Sequence, residues 1–137
     1  MPVTSTTDGA VVRDALRRAL AGRPGVRLAL LFGSHARGAA REDSDVDVAV
    51  LGAGVDRLAL GAAVGAAIGR VVDVVDLADP SIVLLEELVR DAIVVHEASP
   101  GAGALWRSRV LAQLEIDRPW FARMRDAWLA RVAEKGI

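Results

Sequence analysis

The chain has 137 residues, with 17 Lys and Arg against 18 Asp and Glu, two His and no Cys. That length suits one compact domain with a real core, and 53% hydrophobic residues argue against disorder. The missing cysteines exclude a disulfide framework and a thiolate zinc site, and a net charge of −1 excludes a strongly basic, nucleic-acid-coating protein.

Met1 to Gly9 is polar and lacks the charged-then-apolar build of a secretory signal. No window reaches the roughly 18–20 apolar residues that span a bilayer. A cytoplasmic protein without membrane contact is therefore expected. Thr7 or Asp8 is placed to cap a first helix, with Val12, Leu16, Ala19 and Leu20 at helical spacing. Gly22-Arg23-Pro24-Gly25 ends it. Val26 to Phe32, apolar except at Arg27, is a run of strand length. Gly33-Ser34 breaks the strand, and His35 to Ala40 is a short helix or turn. Asp45 to Leu51 alternates, with Asp45, Asp47 and Ala49 on one side and Val46, Val48 and Val50 on the other, which predicts a second strand.

Val55 to Ile68 reads as an Ala-rich helix loosened by Gly61 and Gly65. Arg70 to Leu77 is a third strand around Asp73, Pro80-Ser81 opens a helix through about Arg90, and Ala92 to His96 is a fourth strand. Leu105 to Ile116 is a helix, and Pro119 is expected to begin a last one running to about Glu134. The sum is a single α+β domain over 1–137. A small sheet flanked by helices occupies 1–98, and C-terminal helices pack on it over 99–137.

The ends differ in charge. Residues 1–100 carry ten basic and fourteen acidic side chains, and residues 101–137 carry seven and four. Trp120, Met124, Trp128 and Val132 recur every four residues along one helical face. That stripe either packs on the domain's own core or forms a partner-binding surface rimmed by Arg118, Arg123, Arg125 and Arg131.

The stretch that carries chemistry runs from Leu31 to Val50. Gly33 and Ser34 follow a buried strand and precede a helical turn, where backbone N–H groups favour an anion. Gly33 lets a phosphate approach the backbone closely. The Ser34 hydroxyl can donate to it, and Arg37 and Arg41 are near enough to add charge-assisted bonds. Asp45 and Asp47, two apart on a strand, point to one face. Paired carboxylates repel unless a cation or proton lies between them, and hard oxygen ligands suit Mg²⁺. Asp73 can close the site from a neighbouring strand. An ion pair between Asp73 and an Arg such as Arg27 is the alternative. Three converging carboxylates beside a phosphate cradle suit two-metal phosphoryl or nucleotidyl transfer. Asp76 alternates away and reads as a strand-end residue. His35 and His96 read as structural.

Gly33-Ser34, ten residues, then Asp45-Val46-Asp47 resembles the signature of minimal nucleotidyltransferases of the polymerase-beta-like superfamily. Ala36-Arg37-Gly38 and Ser44 match its extended form, and Val72 to Leu77 resembles the strand bearing the third carboxylate, with Asp73 aligned. The whole chain, including the helical tail through Arg123 and Trp128, resembles the MntA family, the adenylyltransferase antitoxins of type VII toxin–antitoxin systems. The resemblance implies a polymerase-beta-like fold with a small mixed sheet and a helical C-terminal tail. It implies that Asp45, Asp47 and Asp73 are catalytic and hold two Mg²⁺ ions, and that Gly33, Ser34 and Arg37 bind ATP. The implied reaction moves AMP from ATP to a tyrosine of a partner HepT-like toxin, a HEPN-domain ribonuclease, and silences it. A hetero-oligomer with that toxin follows, without direct nucleic-acid contact. The chain has no Tyr, so a tyrosine acceptor must lie on another chain. Two alternatives stand beside this: a small-molecule nucleotidyltransferase of aminoglycoside type, and a non-catalytic antitoxin acting by occlusion.

Overall fold

The computed structural model describes residues 5–135. Its elements in chain order are α1 (Ser5–Ala21), β1 (Val26–Phe32), α2 (Ser34–Arg37), β2 (Val46–Gly52), α3 (Arg57–Ile68), β3 (Val72–Asp76), α4 (Ile82–Asp91), β4 (Ile93–Glu97) and α5 (Ala102–Lys135). The strands form one four-stranded sheet in the order β3-β2-β1-β4. β1 is antiparallel to β2 and β4, and β2 is parallel to β3, so the sheet is mixed. The fold is the expected α+β arrangement.

Each face of the sheet is covered. Val12, Leu16 and Leu20 of α1 and Leu60 and Val64 of α3 pack against Val26, Ala29, Leu31, Val46, Val48, Val50 and Val74. On the other face, Leu84 and Leu88 of α4 and Trp106 of α5 cover Leu28, Leu30, Ala49 and Val75. From Leu28 to Leu31 β1 is buried on both sides, which explains the apolar run there, while Arg27 near its start is exposed. A register shift between Val26 and Leu28 puts these two residues, two apart in sequence, on opposite faces. Gly61 and Gly65 have a packing reason. A Cβ at 61 would lie 3.0 Å from the Val72 carbonyl oxygen and one at 65 would lie 2.7 Å from that of Arg70, so the glycines let α3 press onto the β3 strand and its approach.

Three expectations shift. α1 is already helical at Ser5, ahead of the cap expected at Thr7 or Asp8, whose side chains lie outside the described residues. α3 begins later than Val55, because the Asp56 carboxylate accepts from the amides of Leu58 and Ala59 and fixes the start. The two helices expected over 105–116 and 119–134 are one continuous helix, α5, with Pro119 inside it. Proline removes one backbone donor, but its ring holds φ at a helical value. Buried Val110 and Leu114 anchor the turns just before it, and the flanking sequence is rich in Ala, Leu and Arg, all good helix formers.

Beyond Leu114 none of the described residues of α5 is buried. Trp120, Met124 and Trp128 are 49%, 48% and 56% exposed. The reading of this stripe as part of the domain's own core is therefore wrong: the continuous helix carries it past the sheet and its covering helices. Among the described residues no helix is long and apolar enough to cross a membrane.

Candidate active site

The site gathers where β1 ends and β2 and β3 begin. β1 delivers Gly33, which takes φ 73° and ψ −152° as it turns into α2. An L side chain rarely adopts that conformation. A Cβ there would also fall on the Asp47 carboxylate, so glycine meets both the backbone and the space requirement. The amides of Ala36 and Arg37 return to the Gly33 carbonyl at 3.1 and 3.2 Å. The amides of Ser34 and His35 open the turn, where a helix has no internal acceptor for them.

His35 is 6% exposed, and its Nε2 donates to the Ser44 carbonyl at 3.3 Å. The Ser44 hydroxyl accepts from the Arg41 amide at 2.8 Å, and the Ser44 amide donates to the Arg41 carbonyl at 3.1 Å. Together they shape the loop that leads to Asp45. His96 is structural too: its Nε2 donates to the Val26 carbonyl at 3.2 Å.

Asp47 pairs across β1 with Phe32 and across β3 with Asp73, in register. In-register residues on adjacent strands share a face, about 4.8 Å apart. Both carboxylates stand on the side covered by α4. Asp45 lies just ahead of β2 and is exposed, as is Asp73, while Asp47 is half-buried. Burial raises the Asp47 pKa above the ordinary carboxylate value, and the negative charges of Asp73, Asp45 and Glu87 raise it further, against a smaller lowering by His35. The carboxylates thus lie in one another's field. Among the described residues no three His, Cys, Asp or Glu side chains are gathered closely enough to hold a metal ion as they stand. The donor set is all hard oxygen, and around Asp47 the acidic neighbours outweigh His35, which fits a divalent cation such as Mg²⁺.

Glu87 is the residue that sequence reasoning missed. It stands on α4, off the buried arc of Leu85, Leu88 and Val89, and no local pattern marks it. Its Oε2 accepts from Arg37 Nη1 at 3.5 Å. Arg37 therefore sits at the edge of the site, paired with an acid and half-exposed. Arg27 is not beside Asp73. It lies near the far end of β1 from Phe32, in a cleft lined with Trp106 and Arg109. Asp76 accepts from the Ala78 amide at 2.8 Å and caps the turn after β3.

A family model described as "Polymerase beta, Nucleotidyltransferase" matches residues 14–100, which include Gly33, Ser34, Asp45, Asp47 and Asp73. No curated protein matches the chain. Solved structures share the fold. A toxin–antitoxin crystal structure with AMP-PNP is 25% identical, with a TM-score of 0.67, over 88% of this chain and 98% of that chain. A toxin–antitoxin MntA–HepT structure is 22% identical, with a TM-score of 0.66, over 88% of this chain and 98% of that one. A tri-AMPylated Shewanella oneidensis HEPN toxin in complex with MNT antitoxin is 22% identical, with a TM-score of 0.62, over 92% and 99%.

Proposed function

The chain belongs to the polymerase beta nucleotidyltransferase family, and from that premise we propose that it is an MntA-type antitoxin that moves AMP from ATP to a tyrosine of a partner HEPN-domain toxin and so silences it. The observation that carries the reading is the in-register pair Asp47 and Asp73 beside the Gly33-Ser34 turn. The similar toxin–antitoxin structures support it, one with AMP-PNP and one with a tri-AMPylated HEPN toxin.

The open amides at the Gly33-Ser34 turn and the Ser34 hydroxyl bind the β- and γ-phosphates. Arg37 adds a charge-assisted bond when it turns from Glu87 to the nucleotide. Asp45, Asp47 and Asp73 would hold Mg²⁺, which when bound neutralises phosphate charge and activates the acceptor hydroxyl. Gly33 keeps the Asp47 carboxylate against the turn, so phosphate and carboxylate sites abut. Short reach between them is what orients a triphosphate for in-line displacement of pyrophosphate.

The test is incubation of the protein, Mg²⁺ and labelled ATP with a co-expressed HEPN-domain toxin. A mass gain of one or more adenylate units on a tyrosine of that toxin, lost with Asp47→Asn, is the expected result. Label appearing instead on an aminoglycoside, or protection from the toxin without any label, would replace this reading by one of its competitors.

A further inference from the structure

The exposed half of α5 carries a set of residues whose spacing is the same in both directions. Asp117, Trp120, Met124, Trp128 and Arg131 are spaced by three, four, four and three residues, with Met124 at the centre. At about 100° per residue these five fall within about 80° of one another. They form one face, about 21 Å long. Pro119 falls on the far side of the helix and does not interrupt it. The three apolar members are about half exposed and lie beyond Leu114, the last buried residue of α5 among those described.

We propose that this face binds a second copy of the same chain as an antiparallel helix pair about Met124. A two-fold interface places residue i against residue j and j against i. Turned end for end, Trp120 meets the second copy's Trp128, Met124 meets Met124, and Asp117 meets Arg131. Both ends of the seam are then closed by opposite charges, and four half-exposed indoles are buried together. The charges also decide direction. A parallel pair sets Asp117 against Asp117 and Arg131 against Arg131, which repels at both ends. Arg123 and Arg125 project to the flanks, where long cationic side chains keep their heads in water, and Arg125 already has Asp126 at 3.8 Å. The inference rests on the tail alone and is independent of the nucleotide chemistry.

The test is the mass of the full-length protein by light scattering across a concentration series. The wild type is expected to be a dimer. Asp117→Arg and Arg131→Asp should each weaken it at least tenfold, and the double variant Asp117→Arg/Arg131→Asp should restore it. The chain has no Cys, so single cysteines report geometry. Met124→Cys, at the two-fold axis, should cross-link to its own copy with a short bismaleimide, while Asp117→Cys should not. A monomeric wild type, a double variant no better than the singles, or self-linking of Asp117→Cys overturns the proposal. A monomeric wild type whose tail variants lose the toxin overturns it too, because the face then belongs to that partner.

Discussion

Gly33 and Asp47 are bound by space: the carboxylate of one occupies the volume that a side chain on the other would need. The strand-to-helix turn can thus carry an acid at close quarters only if residue 33 has no Cβ. Gly33→Ala adds that clash to a backbone at φ 73°. It should cost about 1–3 kcal/mol from conformational strain alone and displace Asp47. Gly38, at φ 71° with open space around a would-be Cβ, is the control. Gly38→Ala should lower thermal stability less and keep AMP transfer, whereas Gly33→Ala loses both. Equal activity in the two variants would count against the turn as part of the site.

Asp47→Asn should separate stability from function. The Asp47 pKa is raised in the folded chain, so above the ordinary carboxylate value the native state binds more protons than the unfolded one. Stability from this group is therefore greatest at low pH and falls as pH rises through the raised value. The asparagine variant escapes that loss. Its thermal midpoint should exceed that of the wild type at pH 7, and the gap should close as pH falls toward 4. AMP transfer should drop by roughly 10²–10³-fold, the scale of losing one transition-state electrostatic contact. Mg²⁺ should raise the wild-type midpoint more than that of Asp47→Asn. Melting curves across pH, with and without Mg²⁺, check all of this.

Asp45→Asn and Asp73→Asn act on exposed carboxylates, so neither should move the thermal midpoint by more than about 2 °C. Both should nonetheless depress AMP transfer at least tenfold. Full activity in Asp73→Asn would leave the Asp45 and Asp47 pair as the whole acidic site. Circular dichroism beside a radiolabel transfer assay distinguishes the outcomes.

Glu87→Ala removes a negative charge from the field around Asp47 and releases Arg37. Both effects favour a polyanion. The KM for ATP should fall by up to about fivefold, the equivalent of the ~1 kcal/mol at the upper end for a partly exposed ion pair. Arg37→Ala should raise it. Steady-state titration with ATP at fixed Mg²⁺ reads both signs, and a KM raised by Glu87→Ala would mean that the glutamate aids binding.

His35→Ala empties a buried position and strands the Ser44 carbonyl. The cost should be about 1–3 kcal/mol. Amide exchange should quicken over 41–46, the segment that carries Asp45, and transfer should weaken with it. Hydrogen-exchange mass spectrometry is the measurement.

The strands and the start of α4 were legible because each is written locally. Period two across Val46, Val48 and Val50 marks a strand, Ser81 caps α4 through the Leu84 amide, and Gly33-Ser34 breaks a buried apolar run. The motif residues were legible for the same reason, since Gly33, Ser34, Asp45 and Asp47 lie within one short stretch. Pro119 misled, because a local breaker is outweighed when the turns before it are anchored by Val110 and Leu114. Glu87 could not be read at all. Its role depends on α4 crossing the sheet to meet Arg37, 50 positions away in sequence. The amino-acid order by itself thus set the elements, the acidic motif and its spacing, because backbone sterics and hydrogen bonding act over a few residues. Only the tertiary fold put Asp73 in register with Asp47, set Glu87 against Arg37 and carried the Trp stripe into solvent, because those outcomes depend on how separate elements pack.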